Sequence, residues 1–107
     1  MARKGRRIKE KPTVTFRDFD AANFLRNEED MALYLDACME EAGDDAGMIA
    51  EALGAIARAK GMTGLAKQAD ITRAGLYKAL SREGKPSFET ILKVIRLLGM
   101  KLTVEAA

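Results

Sequence analysis

The chain has no histidine, no tryptophan, one cysteine and two prolines among 107 residues. A lone cysteine, Cys38, cannot close a disulfide within the chain, and without histidine the usual Cys/His zinc sites are excluded. Serine and cysteine hydrolases that rely on a histidine base fall with them. Carboxylate-only chemistry stays open in principle, but no Asp/Glu pair sits beside a glycine-rich phosphate loop. Neither an enzyme, nor a metal site, nor a cofactor is expected. A run of about eighteen apolar residues is also missing, which argues against a membrane span. The basic N-terminus lacks the apolar stretch of a signal peptide. A cytoplasmic protein is the expectation.

Hydrophobic residues make up 48% of the chain, enough for a core if most of it is helical. Ala, Leu, Met, Glu, Lys and Arg dominate, all good helix formers, and Pro12 and Pro86 leave long stretches uninterrupted. An all-α fold of five to six helices follows. The net charge of +2 conceals an asymmetry. Residues 1–15 carry six Lys/Arg against one Glu, residues 16–55 two Arg against eleven Asp/Glu, and residues 56–107 ten Lys/Arg against four Asp/Glu. Local charges of +5, −9 and +6 suggest an acidic half and a half suited to a polyanion, although a charge run is more often a solvated face.

Residues 1–15 read as a disordered basic arm, with Val14 and Phe16 able to form a short strand. Residues 16–59 read as acidic helices. Asp20 caps a short helix through Leu25. Asn27 caps the next, whose first turn holds Glu28, Glu29 and Asp30, favourable at the positive end of the helix dipole. Met31, Tyr34, Leu35, Cys38, Met39 and Ala42 form its amphipathic stripe, with Cys38 as a core residue. Gly43 stops this helix and Asp44 or Asp45 starts another, striped by Ala46, Ile49, Ala50, Leu53, Ile56 and Ala57 and ended by Gly61.

Residues 60–99 change to short helices with a tight join. Thr63 caps a helix from Gly64 to Ala69, Asp70 and Ile71 make the turn, and Thr72 caps a helix from Arg73 to about Arg82. After the loop at residues 83–86, Ser87 caps a further helix marked by Phe88, Ile91, Leu92, Ile95 and Leu98, which Gly99 ends. Two helices joined by such a turn form the DNA-binding helix-turn-helix. Ala66 is small where the two helices approach, Ile71 plugs the turn into the core, and Leu76, Ala79 and Leu80 hold the second helix down. At about 100° per residue, Ala74, Tyr77, Lys78 and Ser81 face outward, with Arg73 at the edge of that side in the first turn. The start of such a helix is where a major-groove reader meets bases and phosphates. Residues 100–107 alternate apolar Met100, Leu102 and Val104 with Lys101, Thr103 and Glu105. They read as a short strand that needs a partner, a symmetry mate being the economical one, or as a frayed tail. Residues 16–107 are expected to form one compact domain.

At residues 65–80 (Leu65-Ala66-Lys67-Gln68-Ala69-Asp70-Ile71-Thr72-Arg73-Ala74-Gly75-Leu76-Tyr77-Lys78-Ala79-Leu80) the chain resembles the Cro/Xre-like repressors. A narrower resemblance lies in Asp18-Phe19-Asp20-Ala21-Ala22, the Glu-Glu-Asp helix start, residues 75–80, and Gly84-Lys85-Pro86-Ser87-Phe88. These look like the HigA-like addiction-module antidotes, over about residues 16–103. That likeness implies a RelE/HigB-like ribonuclease toxin as protein partner and autorepression of the shared promoter. Two positions depart from the pattern. Asp70 stands where the turn usually has glycine, and Asp tolerates the left-handed conformation better than most residues. Gly75 sits inside the second helix at about 1 kcal/mol against alanine, read as room for close packing on the first helix. The basic arm has no counterpart.

The candidate DNA-binding residues are Lys67, Thr72, Arg73, Ala74, Tyr77, Lys78, Arg82 and Lys85. Arg73 and Lys78 are placed at bases or phosphates, against the alternative of ordinary solvated charge. Tyr77 either touches a thymine methyl or shields the core. Lys67, Arg82 and Lys85 are candidate phosphate contacts, and Thr72 combines capping with a phosphate contact. The expected partners are a double-stranded DNA operator, a second copy of the chain and a toxin protein, with no membrane. The arm (Arg3, Lys4, Arg6, Arg7, Lys9, Lys11) suits a DNA tether, a toxin contact or a solubilising tail. A free-standing regulator without a toxin, and an antidote that keeps the helix-turn-helix only as a scaffold, are the alternative functions.

Overall fold

A computed structural model describes residues 25–107. The basic arm, the strand at Val14 and Phe16, and the helix from Asp20 lie outside the described residues, apart from the buried Leu25. Among the described residues five helices follow one another: α1 Glu28–Ala42, α2 Ala46–Lys60, α3 Met62–Ala69, α4 Arg73–Ala79 and α5 Phe88–Leu97.

The caps fall where short polar side chains can take orphan N–H groups. Asn27 accepts from Asp30 N at 2.8 Å, Asp45 from Met48 N at 3.1 Å, Thr72 from Gly75 N at 2.9 Å and Ser87 from Thr90 N at 3.1 Å. Gly43, Gly61 and Gly99 end α1, α2 and α5 with positive φ, as the sequence reading expects.

α1 and α2 pack on one another, and Glu28 at the start of α1 meets Lys60 at the end of α2 at 3.0 Å, so the two run antiparallel. The α1 stripe is as expected: Met31, Leu35 and Cys38 are buried, and Tyr34 and Met39 pack against them. α2 departs from the single stripe. Its second half, Ala52, Leu53, Gly54, Ala55, Ile56 and Ala57, is buried without interruption, while Ala46 is exposed. Small side chains let α1, α3 and the chain at Leu80 close on α2 from several sides.

Two boundaries differ from the sequence reading. α3 begins at Met62 with Gly61 as its cap, so Thr63 is an exposed residue inside the helix rather than its cap. Met62 is buried, and seating it in the core starts the helix two residues earlier. α4 ends at Ala79, not near Arg82. There Leu80 leaves helical geometry to bury its side chain, and the Ser81 hydroxyl donates to Lys78 O at 2.7 Å, satisfying a carbonyl the shortened helix exposes. Phe88, expected on the inner face of α5, is 65% exposed, because the core reaches α5 further along, at Val94, Ile95 and Leu98.

The tail carries no strand in the single chain. No strand is formed among the described residues, and every residue from Lys101 to Ala107 is exposed. A lone strand has nothing to satisfy its backbone, and the described residues of one copy offer no sheet edge for it to join. Met100 belongs to the helical body instead: its N–H bonds to Ile95 O at 3.1 Å while Gly99 N bonds to Arg96 O at 3.0 Å, closing α5. Among the described residues no helix is long and apolar enough to cross a membrane.

Candidate nucleic-acid interface

The join between α3 and α4 rests on Asp70. Its φ of 61° and ψ of 43° place it in the left-handed region, where a short polar side chain is among the better-tolerated choices after glycine. Its N–H bonds to Lys67 O at 3.2 Å and that of Ile71 to Ala66 O at 3.0 Å. This paired closure turns the chain sharply and seats Ile71 against the core. Thr72 then opens α4. Leu76 is fully buried, Leu80 nearly so and Ala79 partly, which sets the direction in which the rest of the short helix faces.

That opposite side carries most of the expected residues. Arg73, Ala74, Tyr77 and Lys78 are exposed on α4, with Thr72 at its start and Lys67 on α3. The Arg73 guanidinium carbon lies 5.5 Å from the centroid of the Tyr77 ring, within the range of a cation–π contact. Tyr77 is 42% exposed, and its inner side borders a shallow hollow shared with Glu51, Arg58 and Leu80. Lys85 is exposed in the loop beyond α4 with a positive φ of 48°.

Arg82 is placed differently. Its guanidinium holds Asp45 at 2.7 Å and Glu51 at 3.5 Å, both on the α2 side. Asp45 thus caps α2 with one oxygen and grips the loop after α4 with the other. No periodicity signals that pairing; the charges are separated by 37 positions. Gly75 also has a reason other than the one expected. A Cβ there would stand 2.8 Å from the Thr72 hydroxyl and 3.4 Å from Ile71 Cγ2, so the glycine makes room for the helix cap and the turn, not for α3.

The Asp45 carboxyl is held below the usual carboxylate range, first by the Met48 N–H it accepts; burial opposes this, and Arg82 and the Gly47 N–H add to the lowering. A lowered folded-state pKa contributes stability that is complete above the unfolded value of about 3.9 and lost as pH falls through the folded one. Asp45→Asn keeps a capping side chain but loses the charge. The gap in melting temperature between wild type and variant is expected to be largest near neutrality and to close below about pH 4. A gap unchanged into strong acid would show that the Asp45 charge does not hold the loop.

Among the described residues no group of His, Cys, Asp and Glu is arranged to hold a metal ion. Residues 15–106 match the model of a family described as probable addiction module antidote protein. The basic arm up to residue 14 lies outside that match. An uncharacterized protein of Haemophilus influenzae is 44% identical over 93 residues, covering 87% of this chain and 94% of its own. No solved structure matches the chain.

Proposed function

The chain belongs to the family of probable addiction module antidote proteins, and from that premise we propose that it is a dimeric, DNA-binding antitoxin that represses its own operon. The observation that carries the DNA-binding half is the outward row Thr72, Arg73, Ala74, Tyr77 and Lys78 on a short helix locked to α3 by the Asp70 turn. In this reading α3 and α4 are a Cro/Xre-type helix-turn-helix and α4 enters the major groove. Ala74 keeps the middle of that face low, so the helix approaches the base edges closely. Thr72 accepts the Gly75 N–H, leaving its own hydroxyl hydrogen to donate to a phosphate. Lys67 and Lys85 flank the helix as phosphate contacts, while Arg82 is assigned to holding α2 on the loop.

Binding to the operator should weaken by about 0.9 log unit per log unit of salt for each phosphate neutralised. Arg73→Ala should cost about 1–3 kcal/mol at the specific site and relax preference at one base position. Lys67→Ala should weaken all sequences alike and lower the salt slope by about one. Equal losses on specific and random duplexes for both variants would sink the assignment of Arg73 to a base.

The antidote half rests on family membership and on the acidic outer surface of α1, where Glu28, Glu29, Asp36, Glu40 and Glu41 are exposed. Glu40 and Glu41 are exposed and off the buried stripe, so Glu40→Lys with Glu41→Lys should leave the fold within about 0.5 kcal/mol. A basic RelE/HigB-like ribonuclease encoded beside the gene is the proposed partner, and charge complementarity sets how fast it is met. The double reversal should slow association with that toxin and spare operator binding. Unchanged association and growth rescue would remove α1 from the neutralising surface.

A further inference from the structure

Arg73 and Tyr77 lie one turn apart on the exposed side of α4, and their side chains are already in contact. A solvated arginine samples many rotamers and loses that freedom on binding a base. Here one face of the guanidinium is covered by an aromatic ring whose own inner side borders the hollow against α2. The contact biases where the guanidinium sits before any ligand arrives, and its N–H groups remain available to one. A guanidinium edge matches the O6 and N7 acceptors of guanine, two bonds from one plane. The ring beside it is apolar and partly exposed, suited to a C5 methyl group, which only thymine carries among the unmodified bases of the major groove.

We propose that Arg73 and Tyr77 act as one reader of a 5-methylpyrimidine–guanine step, with Arg73 on the guanine and Tyr77 both positioning Arg73 and covering the neighbouring methyl group. This inference rests on α4 being the DNA-reading helix, and it narrows the operator: each half-site contains such a step opposite the start of α4. In unmodified DNA the step is T-G; 5-methylcytosine followed by guanine presents the same two groups. Ala74, beside the pair on the same face, adds no polar atom, so the methyl and the guanine edge are read without competition from its side chain.

The test begins with selection of bound duplexes from a random pool by the full-length protein, followed by affinity measurements on the enriched site. A T-G step in each half-site is expected. Replacing its thymine by uracil, which removes the methyl group alone, should weaken binding about three-fold or more, and 7-deazaguanine in place of its guanine about ten-fold or more. Tyr77→Ala should weaken the specific site about three- to ten-fold, leave random DNA unaffected and abolish the difference between thymine and uracil. Tyr77→Phe, which keeps the ring, should restore both affinity and methyl dependence. Duplexes with cytosine or 5-methylcytosine in the step separate the two sources of the methyl: a gain on methylation that vanishes in Tyr77→Ala supports the same contact. An enriched site without a methylpyrimidine–guanine step, or methyl dependence that survives Tyr77→Ala, overturns the proposal while leaving α4 as a DNA-binding helix. If wild type enriches no sequence and shows no salt-dependent binding, the DNA-binding reading falls with it.

Discussion

Leu76→Ala is expected to destabilise the protein by about 2–5 kcal/mol, the range for truncating a fully buried leucine. Leu76 has no exposed surface and is the residue of α4 buried in the common core. α4 is a helix of 7 residues, too short to persist without tertiary packing, and the Leu76 side chain supplies much of that packing. Small domains are stable by about 5–15 kcal/mol in all, and each kcal/mol moves the melting midpoint of a domain near this size by about 4–8 °C. Loss of cooperative melting, or a midpoint lowered by tens of degrees, is therefore the expected result, with operator binding lost in parallel. Ala74→Ser, on the exposed side of the same helix, should change stability by less than about 0.5 kcal/mol. A loss below about 1 kcal/mol for Leu76→Ala would mean that α4 is held by something other than the core.

Removing residues 101–107 should leave the helices and their melting unchanged but reduce operator affinity by about 10²- to 10⁴-fold, the scale lost when two linked binding events become independent. All seven of these residues are exposed in the single chain, Val104 at 94% and Leu102 at 41%. Keeping Met100 matters, because its N–H closes α5 and its side chain packs on the core. The expectation is that two tails pair across a dimer axis, satisfying the backbone that one copy leaves open and holding two recognition helices about 34–36 Å apart. Sedimentation should report a shift toward monomer. A truncated protein that stays dimeric and binds its operator normally would place the interface elsewhere, with exposed Phe88 on α5 the next surface to mutate.

Helix type and most helix starts were legible because they depend on local chemistry. Asn27, Thr72 and Ser87 cap from one side chain to a backbone group three residues on, a relation that a linear reading can see. The same holds for the α1 stripe, where Met31, Leu35 and Cys38 recur with the helical period, and for the Asp70 turn, whose left-handed backbone tolerates few side chains. The α4 face was readable too, since burying Leu76 and Leu80 leaves Arg73, Ala74, Tyr77 and Lys78 outward at the helical angle.

Misread features were those set by a distant neighbour. α3 starts early because Met62 finds a buried seat, and α4 stops early because Leu80 turns inward. Gly54 shows the same dependence. In the sequence it is a helix residue costing about 1 kcal/mol against alanine, yet a Cβ there would run into the Leu80 carbonyl. Arg82 reads as one more outward cation until Asp45 and Glu51 are brought to it. What the sequence by itself determined is the all-helical class, the caps and the outward chemistry of α4, because each follows from residues within a turn or two of one another. What only the tertiary structure decided is where α3 begins and α4 ends, why α2 is built from small residues, and that Arg82 ties α2 to the loop after α4. Those depend on backbone approach and charge pairing between segments far apart in the chain, and neither leaves a periodic trace.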